Sequence, residues 1–348
     1  MPRKLSDRAR LITDYLRGGS RGLPGPGSIL VETTVRCNLR CPMCPRTGAG
    51  YPNEEMPDDM IYPLLEEFAR LGGDHIYLYG LGEPLLDPRI YEILGRCNRL
   101  GLGTVVSTNA TLLDGRAREA LLDSGCEHLI VGVDGANADT YAYYREGGVY
   151  EEVVANIKAL AAAKYVRSSE MTLVVQMVRM ARNMAEVPEF LEFWKSVPGV
   201  DLVRIKDEDI GLPEHAIYEA DGHRRENPCH ILWRGPMVVR YNGDVFPCYN
   251  SAEHGQPLGN LKDKGLEELW NSREIQDMRI LHAQGRSSEN PLCANCPSGR
   301  PRLPFILGAM ALKGITVRKL MPIAERFALG RPTLYRESRQ ISGQVESS

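Results

Sequence analysis

The chain has 348 residues, 43% of them hydrophobic and 25% charged, with 34 glycines and 23 prolines; this is the profile of a folded chain of one large or two ordinary domains and excludes a disordered one. Formal net charge is -3, unevenly placed: residues 1–22 carry six basic and two acidic side chains, residues 301–348 carry eight and three, and the stretch between is left at -12. A body of that sign repels a phosphate backbone, so no nucleic-acid substrate is expected.

The N-terminus lacks an apolar run long enough for a signal peptide, and no uncharged run approaches a membrane span, so a cytoplasmic chain is expected. From Ser28 onward apolar runs alternate with helical periodicity. Strands are predicted over 28–35, 75–80, 103–108, 128–135, 171–178 and 200–206, and helices over 58–73, 88–101, 115–125, 150–164 and 186–197. Regular alternation of this kind implies parallel βαβ units, right-handed crossovers and a helix-covered sheet. Six units fall short of a closed eight-fold barrel, so an α/β fold with an open, partial (β/α)6 barrel is expected, with function at the strand ends. Beyond about residue 210 the sequence turns rich in Pro, Gly, His and Asn, with one hairpin signal at 237–249 where Asn242-Gly243 separates two apolar runs. Four segments follow: a basic amphipathic helix at 1–27, the barrel at 28–210, a small cysteine-rich domain at 211–300 and a basic extension at 301–348.

Nine cysteines are unusual as disulfides in a reducing compartment, and clustered ones are better explained as metal ligands. Cys37, Cys41 and Cys44 follow directly on the first predicted strand. Their spacing lets one loop present three thiolates to a small inorganic cube and leaves its fourth metal open. On spacing alone, zinc or unbound thiols remain alternatives, although a structural zinc wants four ligands and no further Cys or His lies nearby.

These three cysteines resemble the signature of the radical S-adenosylmethionine (radical SAM) family. The resemblance spans about residues 28–300 and implies the partial barrel. "GLGEPLL" (80–86) resembles the family's Gly-Gly-Glu-Pro loop, with Leu81 in place of the first Gly of the pair; "STNATLL" (107–113) and "VGVDG" with its downstream Arg resemble the next two motifs. The resemblance implies that Met43, Gly80, Gly82, Glu83, Pro84, Ser107, Asn109, Asp134 and Arg145 surround S-adenosylmethionine (SAM). It also implies that a [4Fe–4S] cluster on the three cysteines cleaves SAM to a 5′-deoxyadenosyl radical that removes hydrogen from an unactivated carbon. Taken singly, "GLGEPLL" could be an ordinary turn and Asn109 a helix cap. The loop is not a dinucleotide fingerprint, because Leu85 stands at the third glycine position.

Four more cysteines, Cys229, Cys248, Cys293 and Cys296, resemble a SPASM auxiliary-cluster domain in its shortened, twitch form: thirteen residues separate Cys229 from Gly243 and four separate Gly243 from Cys248. Four ligands suffice for one second [4Fe–4S] cluster; a structural zinc is the alternative. Relatives with this pattern include 2-deoxy-scyllo-inosamine dehydrogenase, so the resemblance implies an oxidoreductase acting on a sugar, cyclitol or conjugate, with the second cluster accepting an electron. Epimerisation or decarboxylation is the alternative outcome. An epimerase commonly returns hydrogen from a cysteine, and the two remaining here, Cys97 within a helix and Cys126 at the amino end of the fourth strand, belong far from the active face, which tilts the reading toward dehydrogenation. A zinc-stabilised binding module is the rival of another class.

Arg179, Arg204, Lys206 and Asp207, at the ends of the last strands, are candidate substrate-facing catalytic groups, or else solvated charges. The partners implied are a small-molecule or lipid-linked substrate and a flavodoxin- or ferredoxin-type reductant. Leu5, Ala9, Ile12 and Leu16 form one stripe of the N-terminal helix, and the C-terminal stretch is likewise apolar and basic. Both either cover edges of the barrel or lie on the inner, anionic face of a membrane as a peripheral contact. A peptide substrate is a third possibility, though the leader-binding domain that such enzymes often carry does not fit before Ser28.

Overall fold

The computed structural model describes residues 5–20, 23–48, 50–207, 227–294, 296 and 303–312. Its strands are β1 (Ser28–Val31), β2 (His75–Leu78), β3 (Gly103–Thr108), β4 (His128–Gly132), β5 (Thr172–Arg179), β6 (Leu202–Asp207), β7 (Met237–Val239), β8 (Asp244–Phe246) and β9 (Gly259–Asn260). The helices α1 (Leu5–Arg17), α2 (Asp58–Arg70), α3 (Ile90–Arg99), α4 (Gly115–Asp123), α5 (Ala138–Tyr144), α6 (Tyr150–Val166) and α7 (Val187–Lys195) belong to the first two-thirds of the chain. They are followed by α8 (Ile231–Arg234), α9 (Tyr249–His254), α10 (Leu266–Trp270), α11 (Arg273–Ala283), α12 (Pro291–Ala294) and α13 (Leu303–Ala311).

The six predicted strands form a continuous parallel sheet in sequence order, each joined to the next through a helix. The second segment does not stand apart from it. Strand β7 pairs in parallel with the free edge of β1, and β8 and β9 continue antiparallel, giving one sheet in the order β6-β5-β4-β3-β2-β1-β7-β8-β9. The predicted hairpin is the β7–β8 connection, with Gly243 at φ 91 in the left-handed region that glycine enters without steric cost.

Strand alternation divides the sheet into two faces. Ile29, Val31, Ile76, Leu78, Val106, Leu129, Val131, Leu173 and Val175 are buried together with the apolar stripes of the surrounding helices and make the main core. Residues of the opposite parity, Leu30, Tyr77, Tyr79, Val105, Ile130, Val174, Leu202, Val238 and Phe246, form two smaller clusters without helical partners from the barrel's outer layer. Tyr77, Tyr79 and Leu202 are only half-buried. This second parity is the concave side of the open barrel.

Helices α1 and α13 pack against each other and against α8 and α11 of the second segment. Leu11 and Tyr15 of α1 pack with Trp233 of α8, Met278 of α11 and Ile306 and Met310 of α13. The buried face of α1 is therefore Arg8, Leu11 and Tyr15, while the stripe expected from sequence is mostly outside it, with Leu5 86% and Leu16 56% exposed. The reason is a long-range ion pair: Arg8 reaches Asp74 at 2.6 Å and the Leu312 carbonyl at 2.7 Å, with both charged side chains almost fully buried. No helix among the described residues is long and apolar enough to cross a membrane. Replacing Asp74 by Ala strands the Arg8 guanidinium in the interior, and urea unfolding should show a loss of about 3–5 kcal/mol.

Candidate active site

The cysteine loop leaves β1 through Glu32, Thr33 and Thr34, all buried. It is tied to the chain returning toward α2 by the Thr34–Glu55 bridge and by Met56 N–H donating to Thr33 O at 2.8 Å. Cys44 N–H donates to Cys41 O at 3.0 Å and the Thr47 hydroxyl to the same carbonyl at 2.8 Å, so the segment turns back on itself. Leu39, Met43, Tyr144 and Met180 seal the thiols from one side. Burial pushes the Cys41 thiol up to about 11; Arg145 opposes this, and Cys44 and Cys37 act on it as well, so the three sulfurs share one electrostatic neighbourhood. Three mutually close soft donors, with a nearby cation to balance the negative charge of bound thiolates, suit an iron–sulfur cluster. Cys97 and Cys126 lie elsewhere, in the main core, with thiols pushed up to about 12 by burial.

The loop after β2 is pressed against this segment. A Cβ on Gly82 would sit 2.1 Å from Thr34 O, and one on Gly80 would sit 2.3 Å from the Glu32 side chain. Both glycines are thus required by close approach. Glu83 N–H donates to Arg36 O at 2.8 Å, and Pro84 begins a short 3-10 turn. The Glu83 carboxylate is wholly buried and accepts from Thr108 Oγ1 at 2.7 Å, Asn109 N–H at 2.7 Å and Leu85 N–H at 3.1 Å. Burial raises its pKa, against the lowering effect of these donors. Asn109 in turn bonds Asn38 at 3.0 Å, inside the cysteine loop, and accepts from Thr111. Ser107, one turn of the pleat earlier, is half-buried on the concave face, in register with Ile130.

Beyond β4, Asp134 is fully buried and accepts from Arg145 Nε at 2.7 Å and Val178 N–H at 2.8 Å. Burial alone would pull the Arg145 pKa down, but Asp134 and Cys41 outweigh it and hold the guanidinium charged. A Cβ on Gly132 would lie 2.3 Å from that guanidinium. The four motifs expected at successive strand ends therefore converge on one mouth.

The second thiol group forms at the other edge of the sheet. Cys229, Cys248, Cys293 and Cys296 line one cavity of about 70 Å³ with His282, Met278 and Tyr249. Burial pushes Cys248 up to about 12, and Cys229, Cys293 and Cys296 each act on it. Among the described residues no three Cys, His, Asp or Glu side chains converge tightly enough to share a single ion. The four sulfurs surround a space, which is what a multi-metal cluster needs.

Of the four candidate catalytic groups, Arg204 and Lys206 share the concave-face parity of Leu202 and stand opposite Gln176 and Val178. Arg179 has the opposite parity, and Asp207, the last residue of β6, is its register partner. Sequence reasoning missed a network at the junction of the two segments. Glu32 Oε1 accepts from Leu81 N–H at 3.0 Å and from Arg240 at 2.8 Å, and Arg240 also reaches Ala252 O at 2.8 Å and Glu253 at 3.2 Å on α9. Tyr249, adjacent to Cys248, senses Glu253, Arg240, Cys44 and Glu32, and burial pushes its hydroxyl well above the ordinary value. Glu32 beside the cysteine motif and Tyr249 beside Cys248 were the available signals.

Because the obstacle at Gly82 is backbone, a rotamer change cannot relieve a Cβ there. Gly82→Ala should weaken SAM binding by the iron-loaded protein at least tenfold, read by equilibrium dialysis, with Glu83→Gln weaker in effect because it keeps an acceptor for Thr108 or Asn109.

Comparison with known proteins fits this geometry. The Radical SAM superfamily model matches residues 31–193, and the SPASM iron-sulfur cluster-binding domain model matches residues 229–297. The chain is 32% identical over 177 residues to the AdoMet-dependent heme synthase of Methanosarcina barkeri, covering 50% of this chain and 49% of that protein, so it spans about half of that relative. It is 22% identical over 315 residues to the tungsten-containing aldehyde ferredoxin oxidoreductase cofactor-modifying protein of Pyrococcus furiosus (77% and 86% covered). It is 27% identical over 314 residues to the PqqA peptide cyclase of Xanthomonas oryzae pv. oryzae (79% and 81% covered). Among solved structures, Streptococcus suis SuiB bound to precursor peptide SuiA aligns with a TM-score of 0.62 at 16% identity, covering 89% of this chain and 76% of that one. BtrN in complex with AdoMet and 2-DOIA aligns at 0.52 and 17% identity, covering 78% and 93%. At such identities the structural likeness is one of fold. Residues 31–193 of the chain belong to the radical SAM superfamily and residues 229–297 form a SPASM iron–sulfur cluster-binding domain, with SAM, a [4Fe–4S] cluster and auxiliary iron–sulfur as the cofactors.

Proposed function

We propose that the protein is a radical SAM oxidoreductase that takes a hydrogen atom from an unactivated carbon of a substrate held on the concave face of the barrel. Cys37, Cys41 and Cys44 hold the first cluster, and Cys229, Cys248, Cys293 and Cys296 hold one auxiliary cluster. SAM and the first cluster, when bound, supply the 5′-deoxyadenosyl radical that takes the hydrogen atom. Met43, Gly80, Gly82, Glu83, Pro84, Ser107, Asn109, Asp134 and Arg145 shape and charge the cofactor's surroundings. An auxiliary cluster on Cys229, Cys248, Cys293 and Cys296 would supply the acceptor for the one electron that the substrate gives up, with a proton to solvent, after the hydrogen atom; the substrate's net change would then be a two-electron oxidation.

The observation that carries this reading is the position of Tyr249. It adjoins Cys248 of the auxiliary group, packs with Leu30, Val238 and Phe246 at the concave space of the barrel, and lies within electrostatic reach of Cys44 of the first group.

The lining of that space bears on the substrate. Leu30, Tyr77, Tyr79, Val105, Ile130, Val174 and Phe246 are apolar or aromatic, and Arg204 and Lys206 stand on the same parity at the far strand. Such a wall favours a substrate with an apolar or aromatic portion and an anionic group over a bare sugar or cyclitol, which would leave its hydroxyls without partners. The peptide named in PqqA peptide cyclase supports a peptide as the substrate class.

Anaerobically reconstituted protein should carry about eight irons per chain. Cys293→Ala should retain about half of them and still cleave SAM, yet form no oxidised product. If it oxidises substrate at the wild-type rate, the auxiliary site is not the electron acceptor. Arg204→Ala should raise KM for an acidic substrate about tenfold with a smaller change in kcat.

A further inference from the structure

Two histidines, His230 and His282, line the auxiliary cysteine cavity, and neither the barrel chemistry nor the four-ligand reading uses them. We propose that His282 donates a hydrogen bond from Nε2 to the sulfur of Cys293 and thereby raises the reduction potential of the auxiliary cluster. The proposal rests on the assignment of Cys229, Cys248, Cys293 and Cys296 as that cluster's ligands.

His282 stands in the last turn of α11 and is 3% exposed. Its Nδ1 lies 3.1 Å from the backbone nitrogen of Cys229. A backbone amide can only donate, so Nδ1 accepts and carries no proton. A neutral imidazole has one N–H, which must then be on Nε2. That atom lies 3.4 Å from Cys293 Sγ. The main chain of one ligand residue thus fixes the tautomer that presents a donor to the sulfur of another.

Half of the remaining cavity lining is apolar: Ile231, Leu232, Met278 and Leu292. Ser251 N–H reaches a second ligand sulfur, Cys248 Sγ, at 3.5 Å. A donor to a ligand sulfur stabilises the more negative, reduced state of a cluster and moves its potential upward. For a site that must take an electron from a substrate radical, the change is in the useful direction. His282 touches no reacting atom; it acts through Cys293 as a positioning and tuning residue.

The test is a redox titration of the fully reconstituted chain followed by electron paramagnetic resonance, with the first cluster as internal reference. His282→Leu should leave iron content near eight per chain and the first cluster's midpoint unmoved. At a fixed potential it should lower the auxiliary cluster's reduced-to-oxidised ratio about tenfold, which for a one-electron couple is 59 mV. His282→Gln, which keeps an N–H at comparable reach, should recover most of the shift. A Leu variant with full iron and an unshifted midpoint overturns the proposal. Should the Leu variant fail to hold its second cluster, a His230→Leu protein grown on labelled histidine, in which His282 is the one histidine left among the residues lining the cavity, decides the matter. Imidazole-nitrogen coupling to the reduced auxiliary cluster supports the proposal, and its absence overturns it. Wild-type protein that takes up only about four irons overturns the ligand assignment itself and the proposal with it, an outcome distinct from an unshifted midpoint at full iron.

Discussion

The mouth of the barrel is organised by the backbone of residues 34–36. Thr34 O faces Gly82 so closely that no side chain fits between them, and Arg36 O accepts the Glu83 N–H at 2.8 Å. Through this seam the loop after β2 rides on the loop that carries the thiols, and neither can be displaced alone. Glu83 then carries the order onward to β3 by accepting from Thr108 and Asn109. Asp134 does the same on the far side by fixing Arg145 beside Cys41. Buried carboxylates are costly unless their lone pairs are satisfied, and here the donors come from successive strand ends. The result is a rigid rim built from four segments distant in sequence, which is the preorganisation that radical generation requires.

The continuity of the sheet extends this order to the second thiol group. Because β7 pairs directly with β1, the auxiliary segment inherits its placement from the strand that launches the first cysteine loop. Glu32, at the end of β1, bonds both Leu81 N–H in the cofactor loop and Arg240 beyond β7, and Arg240 reaches α9, which begins after Cys248. The electron acceptor proposed for this second site must lie at a fixed and short range from the substrate. A shared sheet edge and a buried ion-pair chain fix that range more firmly than a flexible linker between domains would.

Much of the barrel was legible in the sequence for local reasons. Strands β1 to β6 are apolar runs separated by helices of regular length, and the three cysteines sit within eight residues, so their proximity needs no knowledge of the fold. The glycines of the 80–84 loop were legible as a motif, while their physical cause, backbone contact with Thr34 and the Glu32 side chain, was not. What escaped depends on pairings between distant residues. The three residues of β7 give no periodicity from which a parallel partner could be inferred. The face of α1 was misjudged because Arg8 counts as polar until Asp74, 66 residues away, is seen to pair with it. Arg240 and His282 each stand in ordinary surroundings in the sequence, and each acquires its role from a neighbour over 10 residues away.

The central claim is that the three thiols leave one iron of the first cluster open and that SAM closes it through its amino and carboxylate groups. Electron–nuclear double resonance on the dithionite-reduced protein, given SAM isotopically labelled at those two groups, examines that contact directly. Hyperfine coupling of both the nitrogen and the carboxylate oxygen to the cluster is the predicted result. A reduced cluster whose signal shows neither coupling at saturating SAM would contradict the account.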